Sequence, residues 1–150
     1  LPSTLARLAN EFPHVVGIKE ATGDMNQASE IIESCPSRFS LLGGDDLTAL
    51  PLMALGGKGL ISVTSNLVPG KIATMCSAMA AGRDEEAREI HHKLFPLHRA
   101  MFMVSNPIPV KTALKMMGRM SDEMRLPLCR MNKEDMGKLA EVLRSQGLLA

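Results

Sequence analysis

Short apolar runs alternate with amphipathic segments along the first half of the chain. Three runs rich in aliphatic residues have the length and composition of strands, and a helical pattern follows each one. The predicted strands lie at 15–19, 39–42 and 59–63, and the helical patterns lie near 25–34, 46–55 and 69–81. Successive βα units of this kind predict a parallel sheet and therefore the α/β class.

Beyond Gly82 the pattern becomes helical only. Asp84 is the predicted N-cap of a long helix that runs toward Met103, and Pro96 is expected to kink it. Shorter helices are predicted at 109–117 and 133–146, with a turn at 106–109. The pattern therefore predicts two domains, an α/β portion over 1–82 and a helical domain over 83–150.

The first predicted strand, HVVGIK, ends at Lys19 and is almost entirely apolar, which suits a strand buried on both faces. Gly23 and Asp24 then break the strand, and Asp24 is placed to cap the helix beginning at Met25. The C-terminal ends of parallel strands are where α/β folds bind ligands. A neutral lysine amine there can form a Schiff base with a carbonyl compound. Lysines at strand ends also commonly extend into solvent, so position alone leaves both interpretations open.

Two glycine-rich segments, GGDD at 43–46 and GGKG at 56–59, lack the spacing of a P-loop or a dinucleotide fingerprint. Their glycines are better explained by close approach of the backbone to a ligand. Asp45 and Asp46 could form a catalytic or metal-binding pair. We favour the alternative in which one of them caps the helix toward Leu55 and the other is solvated.

Histidines occur at 91, 92 and 98, and positions 91 and 98 share a helix face. No carboxylate or cysteine stands at a convincing ligand spacing beside them, so surface or packing roles are expected instead of a metal site. The twelve methionines are either core residues or part of a pliable binding surface, and core filling is the commoner use.

Composition argues against two classes of partner. A net charge of +1 and the absence of Trp and Tyr argue against nucleic-acid binding. The longest apolar stretch, 47–55, contains Pro51 and is far shorter than the ~20 residues of a membrane helix.

Three scattered cysteines indicate reduced thiols, and we expect a cytoplasmic protein.

Four ordered motifs resemble the dihydrodipicolinate synthase family, pyruvate-dependent class I aldolases of the N-acetylneuraminate lyase superfamily. The motifs are GIKEATGD at 17–24, LLGGDD at 41–46, GGKGLISVTSN at 56–66 and NPIPVK at 106–111, with RLPL at 125–128 as a further likeness. The resemblance covers essentially the whole chain. Small departures occur within it, such as Gly43 in place of a common serine and Ser65 in place of a common alanine.

The resemblance implies a (β/α)8 TIM barrel followed by a C-terminal helical domain. Such a barrel takes about 250 residues, whereas this chain has 150 and opens at Leu1 without a methionine. We therefore expect the C-terminal half of a longer protein, with the last three barrel strands and the helical domain. Alone, this half is expected to be inactive and prone to self-association.

The resemblance also implies chemistry. Lys19 matches the family lysine that condenses with pyruvate, Ile61 matches a residue whose main chain lies against pyruvate, and Gly44 matches a glycine on the same rim. The expected reaction joins pyruvate to aspartate semialdehyde, giving 4-hydroxy-tetrahydrodipicolinate on the diaminopimelate route to lysine. No metal or organic cofactor is implied, and the family is usually a homotetramer built from dimers.

Two alternatives stay open on the sequence alone. A related aldolase, such as an N-acetylneuraminate or 2-keto-3-deoxy sugar-acid enzyme, would keep the Schiff base and change the aldehyde. A non-catalytic α/β module could instead bind a partner chain along an open sheet edge. The family's proton relay, its second-substrate arginine and its lysine-feedback site belong to the other half, and this chain has no tyrosine.

Overall fold

The computed structural model describes residues 1–150 and contains three strands and seven α-helices. The strands are β1 Gly17–Glu20, β2 Ser40–Gly43 and β3 Gly59–Leu60. The helices are α1 Pro2–Glu11, α2 Met25–Ser34, α3 Ala49–Ala54, α4 Pro69–Ala80, α5 Asp84–Ala100, α6 Ile108–Met116 and α7 Lys133–Ser145. Two 3-10 turns lie at Asp46–Thr48 and Thr64–Asn66.

The three strands form one parallel sheet in the order β1-β2-β3, as the sequence predicts. Lys19 is level with Leu42 in the register, and Leu42 is level with Gly59. Because all strands run the same way, their C-terminal ends meet at one edge. That edge carries Lys19, the glycine-rich turn after β2 and the segment after β3.

Residues divide into two compact units, one made of Leu1–Ser62 with Ala73–Arg88 and the other of Val63–Ile72 with Glu89–Ala150. The domain boundary predicted between residues 82 and 83 stays a prediction. In the first unit, α1 packs on α2, and α2 and α3 pack on β2. Its core is formed by Ala9, Ala28, Ile31, Phe39, Leu41 and Leu52, with Val15 and Ile18 packed against it.

Only one face of β1 is covered within this chain, so the prediction of burial on both faces is wrong. Ile18 packs against the core on the helix side. Side chains alternate between the two faces of a strand, so Lys19 and its register partner Leu42 lie on the opposite face. That face is open, and Ser40 lines it together with them. Val16, which precedes the strand, is 61% exposed.

The second unit is helical. Its buried side chains include Leu94, Leu97, Met101, Ile108, Leu139 and Leu143, and α6 packs on α7. Helix α5 runs through Pro96, and Asp84 is its first helical residue, not the predicted N-cap. The two assignments differ by one position, within the usual uncertainty of a helix end. None of the helices combines the length and the hydropathy that a membrane span requires.

The histidines of α5 take packing or surface positions, as predicted. His98 is fully buried and its Nδ1 lies 2.9 Å from Oγ1 of Thr64. The ring of His91 lies 5.6 Å from that of His98 and 5.5 Å from that of Phe95. His92 is exposed. No group of three or more His, Cys, Asp or Glu side chains is arranged to hold a metal ion.

Candidate active site

Lys19 is an exposed side chain near the C-terminal end of β1. It lies on the uncovered face of the sheet, opposite the helices that pack against Ile18. The side chain lines an open cleft of ≈ 350 Å³ along this face, together with Val16, Arg38, Ser40 and Leu42. The amine is therefore accessible to a small molecule from this side.

Gly44 lies directly against the lysine. A Cβ built on Gly44 would stand 2.7 Å from Cε and 3.0 Å from Cγ of Lys19, and 2.6 Å from Cβ of Ala21. The N–H of Gly44 donates a 2.6 Å hydrogen bond to the carbonyl of Glu20. Only glycine allows this close approach, since any side chain would displace the stem of the lysine.

Ile61 continues the sheet just beyond β3. Its N–H donates a 2.8 Å hydrogen bond to the carbonyl of Gly43, and its side chain is 45% exposed. The structure thus brings all three residues predicted from the sequence, Lys19, Gly44 and Ile61, to one edge of the sheet. Two backbone hydrogen bonds, from Gly44 to Glu20 and from Ile61 to Gly43, connect the three strand ends.

The turn after Lys19 is fixed by a polar network. Asp24 caps α2, as predicted, and its Oδ1 accepts hydrogen bonds from the N–H groups of Asn26 at 2.8 Å and Gln27 at 3.3 Å. Glu20 is 5% exposed, and its Oε1 accepts hydrogen bonds from Thr22 N–H, Thr22 Oγ1 and Gln27 Nε2. Alternation places Glu20 on the helix side of the sheet, so it supports the strand end from behind the lysine.

The two aspartates after Gly44 have separate roles, and the prediction for one of them is wrong. Asp45 caps the turn as predicted, accepting from Leu47 N–H at 3.0 Å and Thr48 Oγ1 at 3.2 Å. Asp46 is 0% exposed, not solvated, and its Oδ1 accepts a hydrogen bond from Oγ of Ser62. This donor stands sixteen positions further along the chain, where no local pattern could reveal it.

A carboxylate inside the first unit also affects a thiol. Burial and the nearby carboxylate of Asp46 raise the pKa of the Cys76 thiol above its ordinary value. All three cysteines, Cys35, Cys76 and Cys129, are free thiols.

Glu20, Asp46 and Ser62 were not among the site residues predicted from the sequence, although each lies within one of the four motifs.

This arrangement suits chemistry on a small carbonyl compound. A lysine amine can add to a carbonyl carbon and lose water to give an imine. The adjacent glycine lets the lysine stem pack closely against the backbone, and exposed backbone groups at strand ends can orient polar substrates.

Comparison with known proteins identifies close relatives. Residues 1–146 match the dihydrodipicolinate synthetase family. A 4-hydroxy-tetrahydrodipicolinate synthase from Thermodesulfovibrio yellowstonii is 58% identical over 149 residues, which is 99% of this chain and 51% of the relative. A synthase from Persephonella marina is 51% identical over 150 residues and is likewise covered to 51%.

Solved structures agree with these matches. The dihydrodipicolinate synthase of Aquifex aeolicus superposes with a TM-score of 0.96 at 44% identity, over 98% of this chain and 50% of that one. The synthase of Thermotoga maritima gives 0.96 at 41% identity, over 99% and 52%. The chain thus spans about half the length of the relatives that it matches. On these grounds the chain belongs to the dihydrodipicolinate synthetase family.

Proposed function

We propose that this chain is the C-terminal half of a 4-hydroxy-tetrahydrodipicolinate synthase, which condenses pyruvate with aspartate semialdehyde through a Schiff base on Lys19. The observation that carries the proposal is the stem of Lys19 packed across Gly44 at the C-terminal edge of a parallel sheet. The family match and the relatives' names supply the reaction. In this proposal the strands β1, β2 and β3 are the last three strands of the barrel.

The lysine provides covalent catalysis. Its neutral Nζ adds to the keto carbon of pyruvate, and loss of water leaves an imine. Loss of a methyl proton then gives an enamine, whose carbon attacks the aldehyde of the second substrate and forms the new carbon–carbon bond. The amino group of the adduct adds to the imine carbon, which closes the ring and releases the lysine amine.

Gly44 and Ile61 provide the binding surface for pyruvate. The missing side chain of Gly44 lets the lysine stem pack directly against the backbone, and the main chain of Ile61 lies one strand further along the same edge. Neither residue contributes a side-chain proton donor. The groups that move protons therefore come from the other half of the protein in this proposal, and such groups contribute about 10² to 10⁴ in rate.

Borohydride trapping tests the proposal in the full-length protein. Pyruvate with borohydride should leave a reduced, stable adduct on the peptide that contains Lys19, detected by mass spectrometry. Lys19→Ala should abolish the adduct. Lys58→Ala is a matched control, because Lys58 is also exposed but lines a different cleft, with Ile31 and Leu41 on the helix side of the sheet. An adduct that persists in Lys19→Ala would show that another residue is the nucleophile.

The outer edges of β1 and β3 have no strand partner within this chain. They fit either a barrel completed by the other half or a non-catalytic module that binds a partner chain. Absence of any pyruvate adduct in the full-length protein would favour the module.

A cytoplasmic homotetramer remains the expected state of the full-length enzyme, and sedimentation analysis of the purified protein measures its assembly.

A further inference from the structure

Asp46 is a fully buried carboxylate that the proposed reaction does not use. It is the first residue of the 3-10 turn after β2, two positions beyond Gly44, and its exposure is 0%. Burying a carboxylate is costly unless hydrogen bonds and charges compensate it. Because burial of the Asp46 carboxylate beside a candidate substrate site is costly in free energy, we expect this residue to have a structural role. Since it is wholly buried, that role is not direct contact with a substrate.

The hydrogen bond of Asp46 crosses from one loop to the next. Its Oδ1 accepts from Oγ of Ser62, the residue that follows Ile61. Ile61 itself donates its N–H to the carbonyl of Gly43 at 2.8 Å. Two successive residues after β3 are therefore attached to neighbouring positions of the preceding unit, Ile61 through the backbone to the last residue of β2 and Ser62 through its side chain to the loop after β2.

The neighbouring carboxylate has a different, local role. Asp45 accepts from Leu47 and Thr48, both within its own turn. The pair thus divides into a carboxylate that shapes one loop and a carboxylate that links two loops. Hydrogen bonds to a charged acceptor are shorter and stronger than those between neutral groups, which suits a link that must hold a distance.

We infer that Asp46 and Ser62 are positioning residues that hold the main chain of Ile61 in place beside Gly44 at the C-terminal edge of the sheet. This inference rests on the proposed function, because these two main chains form the rim against which pyruvate would bind beside Lys19. Without the link, the segment after β3 can shift relative to that rim. Pyruvate then binds more weakly, while the lysine, once the site is filled, still forms its imine.

Ser62→Ala tests the inference in the full-length protein. The pyruvate concentration that gives half-maximal borohydride trapping on Lys19 should rise about tenfold, with less than about a twofold change in trapping at saturating pyruvate. Ser62→Thr retains the hydroxyl and should recover most of the lost affinity. Ser29→Ala is the control, because Ser29 is exposed and its hydroxyl donates to the carbonyl of Met25 in its own helix.

Each outcome decides the matter. If the unaltered protein forms no adduct, the proposed function and the inference both fail. If it forms the adduct and Ser62→Ala leaves half-saturation unchanged, the inference alone is overturned. A folded variant that loses the same fraction of trapping at every pyruvate concentration also overturns the inference, because that pattern indicates damage to the whole site. Should Ser62→Ala fail to fold, Asp46→Asn decides by the same measurement.

Discussion

At the residue scale, the reactive lysine depends on a neighbour without a side chain. Gly44→Ala would place a methyl group 2.7 Å from Cε of Lys19 and 2.6 Å from Cβ of Ala21. Real Cβ atoms do not tolerate such distances, so the lysine stem must move or the loop must shift. Displacement of about 1 Å from a reactive geometry can cost about 10²-fold in rate. We therefore expect Gly44→Ala to reduce borohydride trapping on Lys19 by at least about tenfold.

The control for this substitution is Gly137→Ala. Gly137 lies in helix α7, and a Cβ built there meets nothing within 4 Å. Alanine in a helix interior is more stable than glycine by about 0.5–1 kcal/mol, so this variant should trap pyruvate normally and melt slightly higher. Normal trapping by Gly44→Ala would refute the close packing of lysine on glycine.

A second prediction at this scale concerns the Cys76 thiol. Burial and the charge of Asp46 both raise its pKa, so Asp46→Asn removes one of the two causes. The pKa should fall but stay above its ordinary value, because burial remains. Since thiolate is the reactive form, alkylation by iodoacetamide should become faster at a given alkaline pH.

The measurement uses full-length protein with Cys35 and Cys129 replaced by Ser, followed over a range of pH. Asp45→Asn is the matched control, because Asp45 is not among the causes of the raised Cys76 pKa. An unchanged midpoint in Asp46→Asn would mean that the buried carboxylate carries no charge near the thiol.

At the element scale, one ion-pair cluster ties helix α6 to the segment before α7. The side chain of Asp122 is 5% exposed and lies 2.8 Å from Nζ of Lys115 and 3.3 Å from Nε of Arg130. The hydrogen bond from Lys115, with the charge of Arg130, holds the pKa of Asp122 below its ordinary value. A carboxyl group whose pKa is lowered on folding stabilises the fold above its unfolded pKa, and this contribution disappears as pH falls through the folded pKa.

Asp122→Asn should therefore lower the free energy of unfolding at neutral pH. The difference from the unaltered protein should stay constant from pH 7 down to about 5 and shrink below about 4, where the unfolded carboxyl group takes up its proton. Urea unfolding of the full-length protein at several pH values measures it. Glu33→Gln, at an exposed position in α2, should show no such trend. A difference that grows in acid would contradict this direction of the pH dependence.

The elements also show where sequence patterns are sufficient. Helix α2 spans Met25–Ser34, the predicted range, because a local cap at Asp24 and a regular apolar spacing define it. Strand β3 is predicted at 59–63 but ends at Leu60. Ile61 keeps its ladder hydrogen bond, and the hydroxyl of Ser62 donates to Asp46. This contact is non-local, so a run of apolar residues could not indicate it.

The same distinction applies to the site. Lys19, Gly44 and Ile61 could be predicted because they stand in recognisable motifs at the ends of predicted strands. The burial of Asp46 and the exposure of Val16 could not be predicted, because each depends on which distant segments of the protein pack beside it. A sequence pattern can indicate that both faces of a strand are apolar. It does not indicate which part of the protein covers each face.

At the scale of the whole molecule, the sheet has two outer edges without strand partners and one uncovered face. Exposed strand edges pair readily with other chains. Val16 at 61% and Ile61 at 45% exposure add apolar surface at the same sheet. Residues 1–150 expressed alone should therefore self-associate, seen by light scattering, and should show no synthase turnover.

Under the proposed assignment of this chain to the C-terminal half, supplying the N-terminal half should reverse both properties. Co-expression of the two halves should reduce scattering and restore pyruvate trapping on Lys19, because the missing strands would pair with β1 and β3. Lys19→Ala in the co-expressed pair should keep the improved solubility and lose the trapping. A monomeric chain of residues 1–150 with full turnover would refute the half-barrel interpretation.

The link between Asp46 and Ser62 has an evolutionary consequence. A buried carboxylate and a hydroxyl donor sixteen positions apart form one unit of selection, because loss of either removes a hydrogen bond that helps to compensate the burial of the other. Substitutions at these two positions should be accepted together along a lineage and purged when they occur singly. Residues 46 and 62 would then change together among related sequences, while the exposed residues between them change independently.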